Sequence, residues 1–63
     1  MPFYAVVISR DSTGHVTGLH ARGSYKTQES AYAATDQRTE FVIVQALNAE
    51  DAAYAVSLAH THA

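Results

Sequence analysis

The sequence predicts an α+β fold, a two-layer sandwich of order β-β-α-β-α with a three-stranded antiparallel sheet and two helices on one face. Three observations carry this. Two stretches, FYAVVISR and FVIVQAL, are rich in β-branched and aromatic residues. A turn sequence, Asp11-Ser12-Thr13-Gly14, follows the first of them. Two alanine-rich stretches each follow a residue suited to capping a helix, Thr27 and Asn48.

Phe3 to Arg10 reads as the first strand. Both of its alternating faces are apolar, with Phe3, Ala5 and Val7 on one and Tyr4, Val6 and Ile8 on the other. Such a strand belongs in the middle of a sheet. Asp11 at the first turn position and Gly14 at the last suit a type I turn, with Gly14 able to adopt the left-handed conformation of a bulged hairpin loop. His15 to Arg22 then returns as a more polar edge strand, with Gly18 a point of weak pairing or a bulge. With Asp11 opposite His15, Val7 faces Leu19. Tyr4, Val6 and Arg10 then share a face with Arg22, His20 and Val16.

Gly23 to Lys26 is a connector. Thr27 caps a helix from Gln28 to about Arg38, with Glu29 near its positive end and Arg38 near its negative end. Phe41 to Leu47 is the third strand. Asn48 caps a second helix over about Ala49–Ala59, with Glu50 and Asp51 in its first turn. Residues 60–63 read as a frayed tail of a single domain spanning 1–63. The hairpin and the helical crossover place the third strand beside the first, so the sheet order is 2-1-3. Both helices are small-sided and are expected side by side on one face.

Composition bounds the function. The chain has 63 residues and no cysteine, which removes disulfides, cysteine zinc sites and thiol nucleophiles. Four basic residues oppose six acidic ones, a poor electrostatic footprint for nucleic acid. No apolar run reaches the ~18 residues that suggest a membrane span. Met1-Pro2-Phe3-Tyr4 lacks a basic leader region, so a cytoplasmic protein is expected. His15 and His20 lie on opposite strand faces, and His60 and His62 lie two apart without helical ligand spacing. No metal site and no cofactor are therefore expected. Ser12, Asp11 and His15 are neighbours because turns are rich in such residues, and no nucleophile elbow surrounds them.

With two helices on one face, the other face of the sheet is left bare. The sequence does not fix which face that is; with the helices on the Phe3 side, the candidate binding surface is Tyr4, Val6, Ile8, Val42 and Val44, joined by His20 and Arg22. The partner implied is another protein, a second copy of the chain, or both. A small non-catalytic protein-binding module follows, acting as an inhibitor, neutraliser or adaptor through an apolar sheet face or edge, as a homodimer. An alternative places Tyr4, Arg10, Arg22 and His20 on one aromatic and basic face able to stack single-stranded bases.

Two resemblances add to this. Pro2, the chain length, and Arg10 or Arg38 resemble the very small tautomerases, in which an N-terminal proline is the base and arginines hold a carboxylate substrate. The chain departs from that family where a long helix should follow the first strand, because Gly14, Gly18 and Gly23 interrupt the region. The stretch Phe3 to Val7, the turn, Gly18, Gly23, Thr27 and Glu29-Ser30-Ala31 resembles the core of HicB antitoxins over roughly the first 38 residues. It lacks that family's "PDLPG" segment. The likeness implies a β-β-α unit more than a function.

Overall fold

A computed structural model describes residues 1–61, with side-chain surroundings through Ala59. The elements are β1 (Phe3–Arg10), β2 (Val16–Tyr25), α1 (Gln28–Ala34), β3 (Phe41–Gln45) and α2 (Ala49–Thr61). All three strands are antiparallel to their neighbours, in the order β2-β1-β3. The central place of β1 follows from its two apolar faces.

The β1–β2 hairpin closes as its residues suggest. The Gly14 amide donates to the Asp11 carbonyl at 3.1 Å, and Gly14 takes φ +91°, the left-handed region that a glycine enters without a Cβ clash. Asp11 Oδ1 accepts from the Thr13 amide (2.9 Å), the Thr13 hydroxyl (2.6 Å) and the His15 amide (3.0 Å). These bonds, the Thr13 hydroxyl first among them, hold the Asp11 carboxyl below its ordinary value of 3.8. A depressed carboxyl contributes stability that is full above the unfolded value and fades as pH falls through the folded one. The thermal midpoint of the native chain should therefore fall more steeply below pH 4 than that of Asp11→Ala. Parallel slopes for the two chains would refute this role.

The register of β2 differs from the sequence expectation. Arg10 pairs with Val16, but Ser9 pairs with Gly18, so the ladder slips by one residue at Thr17. A one-residue slip turns every later side chain to the opposite face. Val6 therefore faces Ala21 and Ile8 faces Leu19, while Val7 faces His20 and Ala5 faces Arg22. His20 and Arg22 thus sit on the Ala5/Val7 face and not with Tyr4 and Val6. Gly18 signals irregularity in the sequence, and the bulge lies beside it. A second irregularity, at Ser24, lets β2 run on to Tyr25.

The two helices lie on opposite faces of the sheet, which corrects the expectation that they share one. Ala52 and Val56 of α2 pack with Tyr4, Val6, Ile8 and Ala46, flanked by Leu19, Ala21 and Val44. The other face belongs to α1. Its Ala31 is wholly buried, as is Ala5. Tyr32 stacks at a tilt on Phe41, with ring centroids 5.6 Å apart, and Phe41 pairs with Val7 on the Ala5 side of the sheet.

Local chemistry sets the helix ends. Thr27 Oγ1 accepts from the Ser30 amide at 3.0 Å, an N-cap bond. α1 stops at Ala34, four residues before Arg38. The Thr35 hydroxyl donates to the Ala31 carbonyl, and Gln37 Nε2 donates to the carbonyls of Tyr32 and Thr35. Asp36 then folds its own turn, accepting from the Arg38 amide. Side chains that satisfy backbone groups outside the helix compete with its continuation. Asn48 Oδ1 caps α2 through the Asp51 amide at 2.8 Å. That helix continues through Thr61. Residues 62–63 lie outside the described residues. Among the described residues, no helix is long and apolar enough to cross a membrane.

Candidate functional site

The sheet has two outer edges, and they differ sharply. β2 is long, polar and twice irregular, and carries His20, Arg22 and two glycines. Bulges, glycines and charges of this kind are how exposed edges avoid pairing with other chains. β3 reads Phe-Val-Ile-Val-Gln, with no charge, no proline and an unbroken ladder to β1. Its five residues are about the mean length of a strand, so shortness does not blunt it.

The direction of its free groups follows from the pairing. The Ile8 amide donates to the Glu40 carbonyl at 2.9 Å, and the Ala46 amide donates to the Pro2 carbonyl at 3.1 Å. Antiparallel ladders alternate between bonded and non-bonded pairs. Val42 and Val44 therefore bond inward to β1, while the N–H and C=O of Phe41, Ile43 and Gln45 point outward. Among the described residues, no strand meets them. Apolar side chains border this edge on both sides. Val42 is 39% exposed on the α2 side, and Tyr32 and Phe41 lie on the α1 side. Leu47, just past the strand, is 72% exposed.

The entrance to the edge is pinned electrostatically. Arg10 Nε and Nη2 meet the two Glu40 carboxylate oxygens at 2.7 and 3.0 Å, and Nη1 donates to the Gly14 carbonyl at 2.8 Å. This fork–fork geometry satisfies both side chains. It ties the hairpin loop to the residue just before β3.

The structure divides the binding residues named from sequence. Tyr4, Val6 and Ile8 are buried beneath α2, with Val6 wholly inaccessible. They form core rather than an open surface. Val42 and Val44 adjoin them at the edge, Val42 accessible and Val44 half-buried. His20 and Arg22 are exposed on the opposite face. The aromatic and basic face expected for base stacking is therefore not assembled, because the slip in β2 separates Arg22 and His20 from Tyr4 and because Arg10 is engaged by Glu40. The tautomerase-like set is also dispersed. Pro2 and Arg10 stand at opposite ends of β1, about 26 Å apart for eight residues of extended chain. Arg38 lies 3.4 Å from Asp36.

Surface depressions also lie among the described residues. A cleft of about 220 Å³ lies between Val7, Arg22 and the end of α1, lined also by Thr35, Asp36 and Thr39. A more open hollow of about 370 Å³ lies over Thr27, Glu29 and Tyr32. Among the described residues, no three His, Asp or Glu side chains come together. The tail histidine pair falls outside the described side chains. The outward groups of β3 were not named from sequence. Their signal was present in the uncharged run of FVIVQ beside a strand order that leaves it outermost. Compared with protein families, curated proteins and solved structures, the chain matches none.

Proposed function

We propose that this chain is a small non-catalytic protein-binding module that receives an extended segment of another polypeptide along the outer edge of β3. The role is that of an inhibitor, neutraliser or adaptor. One observation carries this: β3 presents outward N–H and C=O groups without any of the protective features found on β2. Strand addition draws affinity from such groups and specificity from the side chains beside them. Here those are Val42 and Val44 on one side and Phe41 and Ile43 on the other. Tyr32 and Leu47 supply accessible apolar area at the margin, a usual component of recognition surfaces.

Chemical synthesis of a 63-residue chain permits a minimal test. N-methylation of Ile43 removes one outward donor and keeps the side chain. The donor faces away from β1, so the fold and its thermal midpoint should survive. Extended peptides selected from a random displayed library against the native chain should bind the methylated chain at least tenfold more weakly. Selected peptides that bind both chains equally would overturn the proposal.

A further inference from the structure

We infer that the segment which occupies the β3 edge is β3 of a second copy, added antiparallel about a two-fold axis at Ile43 to make a continuous six-stranded sheet. This rests on the reading of β3 as a docking edge and names its occupant.

A two-fold contact requires a patch that complements itself. Around Ile43 the strand reads Val-Ile-Val, which is the same in both directions. Pairing centred there sets Ile43 against Ile43 of the other copy, Val42 against Val44, and Phe41 against Gln45. The parity also fits. Phe41, Ile43 and Gln45 are the residues whose backbone groups point outward, and this register makes all three bonded pairs, each exchanging two hydrogen bonds. Val42 and Val44 of both copies then form one apolar stripe on the α2 side.

Charge does not oppose the contact. Each Glu40 falls opposite Ala46 of the other copy and is already held by its own Arg10 at 2.7 Å. The two Glu40 positions are six residues apart along the strand direction, about 20 Å. The chain itself supplies an uncharged strand with apolar side chains on both faces, β3 of the second copy.

The area sets the strength. A five-residue edge is about 17 Å long, and the two shorter extents of the molecule are 23 and 15 Å. The projected contact is therefore no more than about 400 Å², well under the ~800 Å² per partner of a stable complex. The association is therefore a monomer–dimer equilibrium that responds to concentration.

Light scattering behind a sizing column, over a hundredfold range ending at millimolar chain, reads this directly. The mass should rise from 6.8 kDa toward twice that value, and the chain N-methylated at Ile43 should stay at the lower mass throughout. Register is read by single cysteines in this cysteine-free sequence. Ile43→Cys should oxidise to a disulfide-linked dimer at least tenfold faster than Phe41→Cys, whose two copies stand about 14 Å apart in this register. A native chain that stays monomeric while still binding selected strand peptides overturns the second-copy assignment and leaves the docking edge standing. A dimer that persists after N-methylation, or equal oxidation of the two cysteine variants, also overturns it. A chain that neither dimerises nor binds strand peptides removes both readings.

Discussion

Val6→Asp is expected to abolish folding. Val6 is the largest wholly buried side chain, and it stands at the middle of the cluster formed by Tyr4, Ile8, Ala46, Ala52 and Val56. The substitution removes about 1.5–3 kcal/mol of apolar burial. It also places a carboxyl in a cluster of hydrophobic side chains, which adds about 1–3 kcal/mol even with the group protonated. At roughly 0.05–0.15 kcal/mol per residue, a domain of this size holds about 3–9 kcal/mol in total. The loss consumes most of that. Far-ultraviolet circular dichroism at 25 °C should show a largely unfolded chain. A cooperative thermal transition near that of the native protein would contradict the packing described.

Gly23→Ala should produce the next largest loss. Gly23 lies opposite Tyr4 in the β1–β2 ladder. A Cβ there would come 2.8 Å from Tyr4 Cδ1, 3.2 Å from Cε1 and 3.0 Å from the Phe3 carbonyl oxygen. Tyr4 is buried under α2 and cannot swing aside, and the carbonyl belongs to the central strand. Overpacking of this kind costs about 1–3 kcal/mol. The urea midpoint should fall accordingly with an unchanged slope. Gly14→Ala provides an instructive comparison. A Cβ at Gly14 meets nothing within 4 Å, so its cost comes from the left-handed backbone alone, about 1 kcal/mol. A Gly23→Ala chain as stable as the native one would show that the Tyr4 ring does not rest against this glycine.

The strand order was legible because β1 is apolar on both faces and the turn chemistry at Asp11–Gly14 is unambiguous. The caps at Thr27 and Asn48 were legible because a hydroxyl or amide oxygen one residue before an alanine-rich run has few other uses. The placement of α2 was misread, although its signal was on hand. A strand apolar on both faces needs cover on both, and two helices were available to supply it. Treating the second apolar face as exposed made Tyr4, Val6 and Ile8 a docking surface when they are the core. On that reading Val6→Asp would probe a surface; in this structure it probes folding.

The side-chain placement on β2 was illegible for another reason. Gly18 signals irregularity, but a glycine does not say whether one residue or none is looped out. Parity over the next five residues hangs on that single choice. The early end of α1 depends on Thr35, Asp36 and Gln37 bonding locally, which composition in an otherwise helical stretch does not reveal. The candidate edge combines both kinds of information. Its uncharged sequence was readable, whereas the outward direction of Phe41, Ile43 and Gln45 needed the β1–β3 pairing.

Amide hydrogen exchange, residue by residue, tests the docking edge most directly. In dilute solution the amides of Val42 and Val44 should be protected, and those of Phe41, Ile43 and Gln45 should exchange quickly. At millimolar chain, or with a saturating strand peptide, those three outward amides should slow at least tenfold while the outer amides of β2 keep their rates. Slowing at Leu19, Ala21 and Gly23, or on α2, with Phe41, Ile43 and Gln45 unchanged, would place the contact elsewhere and contradict the assignment of β3 as the docking edge.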